Sequence, residues 1–164
     1  MNLPTVIKFH GHSKEVLIKS LLIKFPQEGC ALLLGKKKKE TNLSKNFFYE
    51  ISLIWPCCNI WEPEMKSFSE ECLKEDLTQK PPSKTNRFAI DPKEQISAQK
   101  WARKKNLSLL GSAHSHSYSC ANPSRLDLSW NFSPGLMIIV DGSGVIRAWW
   151  IGASKTIEPT EIPI

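Results

Sequence analysis

Two histidines and one aspartate have the residue types and the spacing of a metal site. His114 and His116 follow an apolar stretch with one residue between them, and Asp127 comes eleven residues later. Because side chains alternate between the two faces of an extended segment, both imidazoles project to the same side. Two histidines and a carboxylate, with a fourth position left for water, are typical of a catalytic zinc site. Zinc held in this way lowers the pKa of its bound water to about 7 and polarises a carbonyl group.

Each part of this pattern also has an ordinary structural interpretation. The two histidines at the end of a strand could also be ordinary surface residues, or polar residues held by hydrogen bonds. Ser124 and Asp127, which follow Pro123, have the form of a helix cap. The two interpretations of Asp127 are compatible, because a capped first turn is a rigid place from which to present a carboxylate to a metal. A second pair, His10 and His12, precedes a predicted helix without a nearby carboxylate, and we interpret it as a loop.

The five cysteines form no pattern of metal ligands. Cys57 and Cys58 are adjacent, and the sequence contains no Cys-x-x-Cys spacing. Cys120 lies in the loop between His116 and Asp127, but its spacing does not make it a ligand. The N-terminal residues lack the apolar segment of a secretory signal. We therefore interpret the cysteines as thiols of a cytoplasmic protein rather than as a disulfide framework.

Helices and strands alternate along the segments that must position these residues. Helical spacing of apolar residues predicts a first helix at 13–24, with Ser13 as its cap. Asp91 followed by Pro92 predicts the start of a second helix that runs to about residue 105. Strands are predicted at residues 29–35, 46–55, 88–90, 107–113, 136–140 and 145–151, and a turn at the lysine run 36–39. This order favours an α/β layered domain.

Length, charge and hydropathy narrow the class of protein further. The chain has 164 residues, which is about one domain, and a composition that excludes collagen, coiled coil and wholesale disorder. Its net charge is +6, concentrated at residues 36–39 and 100–105. Because aromatic residues are not interleaved with these lysines and arginines, we interpret both clusters as solvated segments and expect no nucleic-acid partner. The positive charge is also compatible with an acidic protein partner. No apolar run approaches the roughly 20 residues of a membrane span, so we expect no membrane partner.

Four residues at fixed spacing identify a family. His114, His116, Ser124 and Asp127 give the pattern H-x-H-x(7)-S-x(2)-D. This pattern resembles the signature of the JAMM zinc metallopeptidases, whose members share the MPN domain. Residues 28–35, Glu-Gly-Cys-Ala-Leu-Leu-Leu-Gly, are similar to the first strand of that family, and residues 87–92, Arg-Phe-Ala-Ile-Asp-Pro, resemble the entry to its central helix in bacterial members.

The resemblance covers nearly the whole chain and implies a fold. It implies a single JAMM/MPN metallopeptidase domain over residues 1–164, of the bacterial stand-alone type. The expected architecture is an α-β-α layered domain with a mixed central sheet, similar to the MPN and cytidine deaminase folds. Residues 57–88, the least regular segment, fall where the family carries a variable insertion beside the substrate groove.

The resemblance also implies a role for each matching residue. His114, His116 and Asp127 are expected to bind one zinc ion per chain, with water as the fourth ligand. Glu28 is expected to take a proton from that water and pass it to the leaving amine. Ser124 is expected to hydrogen-bond the developing oxyanion or the water. Ser115 lies between the ligands and is given no catalytic role. One departure is Ser117, which stands where many members have proline after the second histidine.

These roles imply a zinc-dependent peptidase or isopeptidase. Family members cut amide bonds after the C-terminal glycine tail of ubiquitin or ubiquitin-like proteins, and short bacterial members are associated with ubiquitin-fold sulfur carriers. The alternative is a non-catalytic MPN scaffold that binds partners, although scaffolds usually lack part of the ligand set that this chain carries. A zinc deaminase is a third hypothesis, but its H-x-E and P-C-x-x-C motifs are absent. The sequence leaves the substrate and the oligomeric state open.

Overall fold

The secondary structure alternates between strands and helices. The computed structural model describes residues 3–41, 45–65, 81–129, 134–152 and 158–164. Within these ranges there are seven strands and three α-helices. In chain order they are β1 (Ile7–Phe9), α1 (Ser13–Leu22), β2 (Cys30–Lys39), β3 (Phe47–Cys57), α2 (Pro92–Lys104), β4 (Ser108–His116), α3 (Arg125–Ser129), β5 (Gly135–Asp141), β6 (Ile146–Ile151) and β7 (Thr160–Ile162). A short 3-10 helix covers Pro63–Met65.

The described strands form one mixed sheet with the order β1-β3-β2-β4-β5-β6-β7. The pairs β1–β3 and β4–β5 are parallel, and the other neighbours are antiparallel. The sheet curls until its two edges approach each other. The backbone N–H of Ile7 in β1 donates to the carbonyl of Pro163, which follows β7, at 2.8 Å. The strand order places β4, which carries the two histidines of the predicted site, between β2 and β5.

Helices cover both faces of the sheet. Alternation along β2 directs Leu33 to the face covered by α1, where it lies in the same buried cluster as Leu17 and Leu21. Its neighbour Leu32 points to the opposite face and clusters with Ala98 of α2. The α-β-α layered domain with a mixed central sheet that the sequence predicts is therefore confirmed.

The two long helices lie at the predicted positions, but the cap of α1 differs from the predicted one. The side chain of Asp91 accepts a hydrogen bond from the Lys93 N–H at 2.8 Å, so the predicted start of α2 is confirmed. At α1 the cap position belongs to His12, whose side chain makes no capping hydrogen bond. The prediction that Ser13 caps this helix is wrong, because its hydroxyl instead donates to the carbonyl of Ile51 at 3.0 Å and ties α1 to β3.

Two local predictions are wrong for reasons of pairing. The lysine run is the second half of β2 rather than a turn, since it pairs residue by residue with 47–50 of β3. Lys38 forms an ion pair with Glu50, and Lys37 lies 3.6 Å from the centre of the Phe47 ring. Residues 88–90 form no strand, because Ala89 is bonded by the N–H of Ile60 and by a side-chain amide rather than by a neighbouring strand. Residues 66–80 of the predicted insertion lie outside the described residues.

Candidate metal centre and active site

The last three residues of β4 place two imidazoles side by side in the interior. His114 is fully buried and His116 is 4% exposed. Because they are two positions apart on one strand, they project from the same face of the sheet, as the sequence predicts. The two Nε2 atoms lie 3.1 Å apart. A strand flanked on both sides by other strands thus brings two imidazole nitrogens, each a possible metal ligand, to one point.

Asp127 reaches the same point from the first turn of α3. Its N–H donates to the hydroxyl of Ser124 at 3.2 Å, and its carboxylate accepts from the N–H of Ser124 at 2.7 Å. This reciprocal pair is a capping box, so the helix-cap interpretation is confirmed. The Ser124 hydroxyl also donates to the same carboxylate oxygen at 2.7 Å. Helix capping therefore fixes the orientation of Asp127, and the predicted oxyanion contact from Ser124 would require its hydroxyl to turn away from that carboxylate.

The three side chains converge with the spacing of metal ligands. The Nε2 of His114 lies 3.3 Å from Oδ1 of Asp127, and the Nε2 of His116 lies 3.5 Å from Oδ2. Tetrahedral zinc with bonds of about 2.0–2.2 Å separates its ligand atoms by about 3.3–3.6 Å. These residues therefore form a group that could hold a metal ion. Asp127 therefore belongs both to the helix cap and to the group that could hold a metal, so the two interpretations of the sequence apply together.

Within this group the side chain of Asp127 is held in its ionised form. Burial by itself would raise the pKa of Asp127, but His114 and hydrogen bonds from both histidines and Ser124 hold that pKa well below its usual range. Burial lowers the pKa of His116, yet the hydrogen bond and charge of Asp127 outweigh it, so the net pKa is raised. A carboxylate that stays ionised among imidazoles is the donor set that a divalent cation prefers.

The two imidazoles are oriented by different contacts. The Nδ1 of His116 bonds the backbone carbonyl of Cys120 at 2.8 Å. Metal-binding histidines usually bond a second group in this way, which fixes the tautomer and the ring orientation. The Nδ1 of His114 has no hydrogen-bond partner within the described ranges. Its ring is instead stacked on Phe88, with 4.4 Å between centroids and an interplanar angle of 21°.

Glu28 is held in the segment between α1 and β2 by bonds to distant parts of the chain. Its N–H donates to the carbonyl of Lys84 at 2.7 Å, and its carbonyl accepts from Nδ2 of Asn59 at 3.0 Å. The next residue, Gly29, exchanges two hydrogen bonds with Ser115: its N–H donates to the hydroxyl at 2.8 Å, and its carbonyl accepts from the backbone N–H at 2.9 Å. Ser115 therefore joins the segment that carries Glu28 to the strand that carries both histidines.

The carboxyl group of Glu28 is buried and electrostatically coupled to His114, His116 and Asp127. Only 7% of the residue is exposed, and this burial raises its pKa to about 7. His114 and His116 act in the opposite direction and favour the charged form. A carboxyl group with a pKa near neutral is suited to both accept and return a proton.

Most of the site residues predicted from the sequence lie together in this group, but the second histidine pair and the cysteine side chains do not belong to it. His114, His116, Asp127 and Ser124 come together, and Glu28 is coupled to them. His10 and His12 lie on the surface at the start of α1, away from this group. Cys30, Cys57, Cys58 and Cys120 are free thiols, and Cys120 contributes its carbonyl rather than its sulfur.

Two contributors were missed by sequence reasoning. Phe88 stacks on His114 and Asn59 bonds the backbone carbonyl of Glu28, yet both lie in the irregular segment 57–88. The similarity of residues 87–92 to the entry of a helix does not indicate that Phe88 contacts His114. Nothing in the local spacing of Asn59 indicates its long-range contacts, because three of its hydrogen bonds join residues 28–31 positions apart.

Comparisons with known proteins agree with this fold. The family described as prokaryotic homologs of the JAB domain matches residues 12–152. A solution structure from Desulfitobacterium hafniense is similar at a TM-score of 0.72 and 21% identity, covering 97% of this chain and 91% of that one. A solution structure from Salinibacter ruber gives 0.59 and 18%, covering 96% and 89%. A crystal structure of a JAB1/MPN domain protein from Archaeoglobus fulgidus gives 0.49 and 15%, covering 97% of both chains. No curated protein matches.

The fold and the family match together define a domain of the JAB/MPN class. The chain belongs to the family of prokaryotic homologs of the JAB domain. The group His114, His116 and Asp127 is consistent with the metal site of the JAMM pattern in that class. None of the helices in the described part of the chain is both long and apolar enough to cross a membrane.

Proposed function

We propose that this protein is a zinc-dependent peptidase or isopeptidase. The observation that carries the proposal is the convergence of His114, His116 and Asp127 beside a buried Glu28 whose pKa is raised to about 7. The three ligand side chains offer a nitrogen, nitrogen and oxygen set, which leaves one position of a tetrahedral ion open for water or substrate. When bound, zinc supplies a Lewis acid that polarises a carbonyl and makes water more acidic.

In this proposal Glu28 carries the proton through the reaction. Its carboxylate takes a proton from the attacking water and later gives it to the leaving amine, as a general base and then a general acid. The positive charge of a cation bound to the neighbouring residues would favour the carboxylate form. Glu28 is therefore available as a base at neutral pH even though burial alone raises its pKa. Ser124 is proposed to bond the developing oxyanion once its hydroxyl releases Asp127.

The substrate we propose is the C-terminal glycine tail of a ubiquitin-like or sulfur-carrier protein, met in the cytoplasm. An open cavity of about 440 Å³ is bounded by the loop after β4 and by the turn between β5 and β6. Its lining includes Tyr118, Cys120 and Ser143, so an extended peptide there would meet hydroxyl groups. Cys120 connects this cavity to the candidate metal centre, because it lines the cavity and its carbonyl bonds Nδ1 of His116. The free thiols are consistent with a reducing compartment.

The test is a proton-transfer variant measured on a defined substrate. The substrate is a ubiquitin-fold protein whose glycine tail continues into a short reporter peptide. Glu28→Gln keeps the size and hydrogen bonding of the side chain but cannot accept the proton, so turnover should fall by about 10²-fold or more while zinc binding persists. Glu15→Gln, a change in the exposed first turn of α1, is the control and should cleave at the parent rate.

Two outcomes would contradict the proposal. Cleavage by Glu28→Gln at the parent rate would show that Glu28 is not the proton carrier. A parent protein that binds zinc and the ubiquitin-fold partner, yet cleaves no glycine-tailed fusion, would favour the non-catalytic MPN scaffold.

A further inference from the structure

The side chain of Asn59 uses its full hydrogen-bonding capacity. Its Nδ2 donates to the carbonyls of Glu28 and Arg87 at 3.0 and 2.9 Å. Its Oδ1 accepts from the N–H groups of Trp61 and Ala89, both at 3.1 Å. Two carbonyls on one side and two N–H groups on the other fix which atom is nitrogen. A single amide thus joins three segments that are distant in sequence.

Two of these bonds bracket Phe88. The amide bonds the carbonyl of the residue before it and the N–H of the residue after it, much as a neighbouring strand would. The backbone of Phe88 is therefore held on both sides while its ring stacks on the imidazole of His114. Because the Nδ1 of His114 has no hydrogen-bond partner in the described part of the chain, this stack replaces the hydrogen bond that usually orients a metal-binding histidine.

The same amide also holds the backbone of Glu28. A shift of Asn59 would therefore move the proton carrier and loosen the support of a metal ligand together. We propose that Asn59 is a positioning residue of the site, which sets the plane of the His114 ring through Phe88 and the place of Glu28 through its carbonyl. This inference rests on the proposed function, since it assigns Asn59 to the same metal centre.

The experiment measures metal binding as well as activity. Asn59→Asp keeps the shape and the accepting oxygen but replaces the donating nitrogen with a second oxygen, which faces the two carbonyls. Zinc affinity, measured by competition with a chromophoric chelator, should fall by about 10-fold or more, which is the usual effect of losing a contact that orients a ligand. The visible absorption spectrum of bound Co²⁺ should also change, because it reports the arrangement of the ligands.

Two further variants separate positioning from general stabilisation. Phe88→Leu keeps an apolar side chain but removes the stack, so it should lower zinc affinity to a similar degree. In the double variant with Asn59→Asp, the loss should be smaller than the product of the two fold-changes, since both act through the same ring. Asn86→Ala is the matched control, because it removes a side-chain amide of the same loop that bonds the backbone of Ser83 and Pro81. It should bind zinc as the parent does.

The possible failures are distinguishable. If folded Asn59→Asp binds zinc with the parent affinity and the parent Co²⁺ spectrum, the positioning role is wrong. If Asn59→Asp does not fold, Phe88→Leu decides alone, and parent affinity in that variant overturns the proposal. If the parent protein binds zinc but cleaves no glycine-tailed fusion, the proposed function fails while the metal measurements on Asn59 keep their meaning.

Discussion

Burial of Glu28 makes a quantitative prediction about stability in the metal-free protein. Its pKa rises from the ordinary 4.5 to about 7 on folding, mainly because the buried carboxyl loses its hydration. The folded state therefore prefers the protonated acid. The stability associated with that proton is complete below about pH 4.5 and is lost as the pH rises through 7. A tenfold change in proton affinity corresponds to about 1.4 kcal/mol, so the whole loss is about 3 kcal/mol.

The variant Glu28→Gln isolates this contribution, because glutamine has a similar size and does not titrate. The free energy of unfolding of Glu28→Gln minus that of the parent should grow by about 3 kcal/mol between pH 4 and pH 8. Urea unfolding of chelator-treated protein, followed by the fluorescence of the six tryptophans, measures both values at each pH. Titrating groups that do not interact with Glu28 contribute equally to both proteins and cancel in the difference, whereas the coupling of Glu28 to His114, His116 and Asp127 is part of what the difference measures.

A matched control and an added metal make this test specific. Glu15→Gln changes an acid in the exposed first turn of α1, so its difference from the parent should stay nearly constant with pH. Saturating zinc should shrink the difference for Glu28→Gln, because a cation nearby favours the carboxylate. A difference for Glu28→Gln that is flat from pH 4 to pH 8 without metal would show that the carboxyl is hydrated in the folded protein, and the argument from burial would be wrong.

Three other predictions address the metal, a close contact and a helix cap. His116→Ala should lose bound zinc and the rise in Tm that zinc gives the parent, whereas His12→Ala should keep both; zinc retained by His116→Ala would refute the assigned site. Gly29→Ala should destabilise the protein by about 1–3 kcal/mol in urea unfolding, because a Cβ there would overlap the carbonyl oxygen of Leu21, and an unchanged midpoint would contradict this packing. Asp91→Ala should cost about 1 kcal/mol by the same assay, and no change would mean that its bond to the first turn of α2 contributes nothing.

Features that depend on near neighbours in the chain were predictable from the sequence. The placement of His114 and His116 on one face follows from the two-residue period of a strand, and the structure has both rings together. The cap formed by Ser124 and Asp127 depends on residues three positions apart, and it is present. The start of α2 at Asp91 is local in the same sense. The geometry of such patterns is set by residues a few positions apart, so the local sequence is enough to predict it.

The wrong predictions share a cause, which is pairing with a partner that the local sequence does not show. Four consecutive lysines have no preference for a strand in isolation, but β3 supplies hydrogen bonds, an acid and aromatic rings opposite them. The segment around Ala89 has the residue types of a strand, yet a side-chain amide and Ile60 take its backbone groups. Ser13 has the residue type of a helix cap, but the helix begins at Ser13 itself and its hydroxyl donates to a carbonyl of β3.

The sequence by itself determined which residues could bind a metal and on which elements they lie. Only the tertiary structure decided the environment of Glu28, since an acid before a buried strand is more often exposed than buried. It also decided that Phe88 stacks on His114 and that Asn59 holds both Phe88 and Glu28. Ligand spacing within a strand or a turn is set by covalent geometry. Burial and the contacts of an amide across 28 and 31 residues are set by how the whole chain packs.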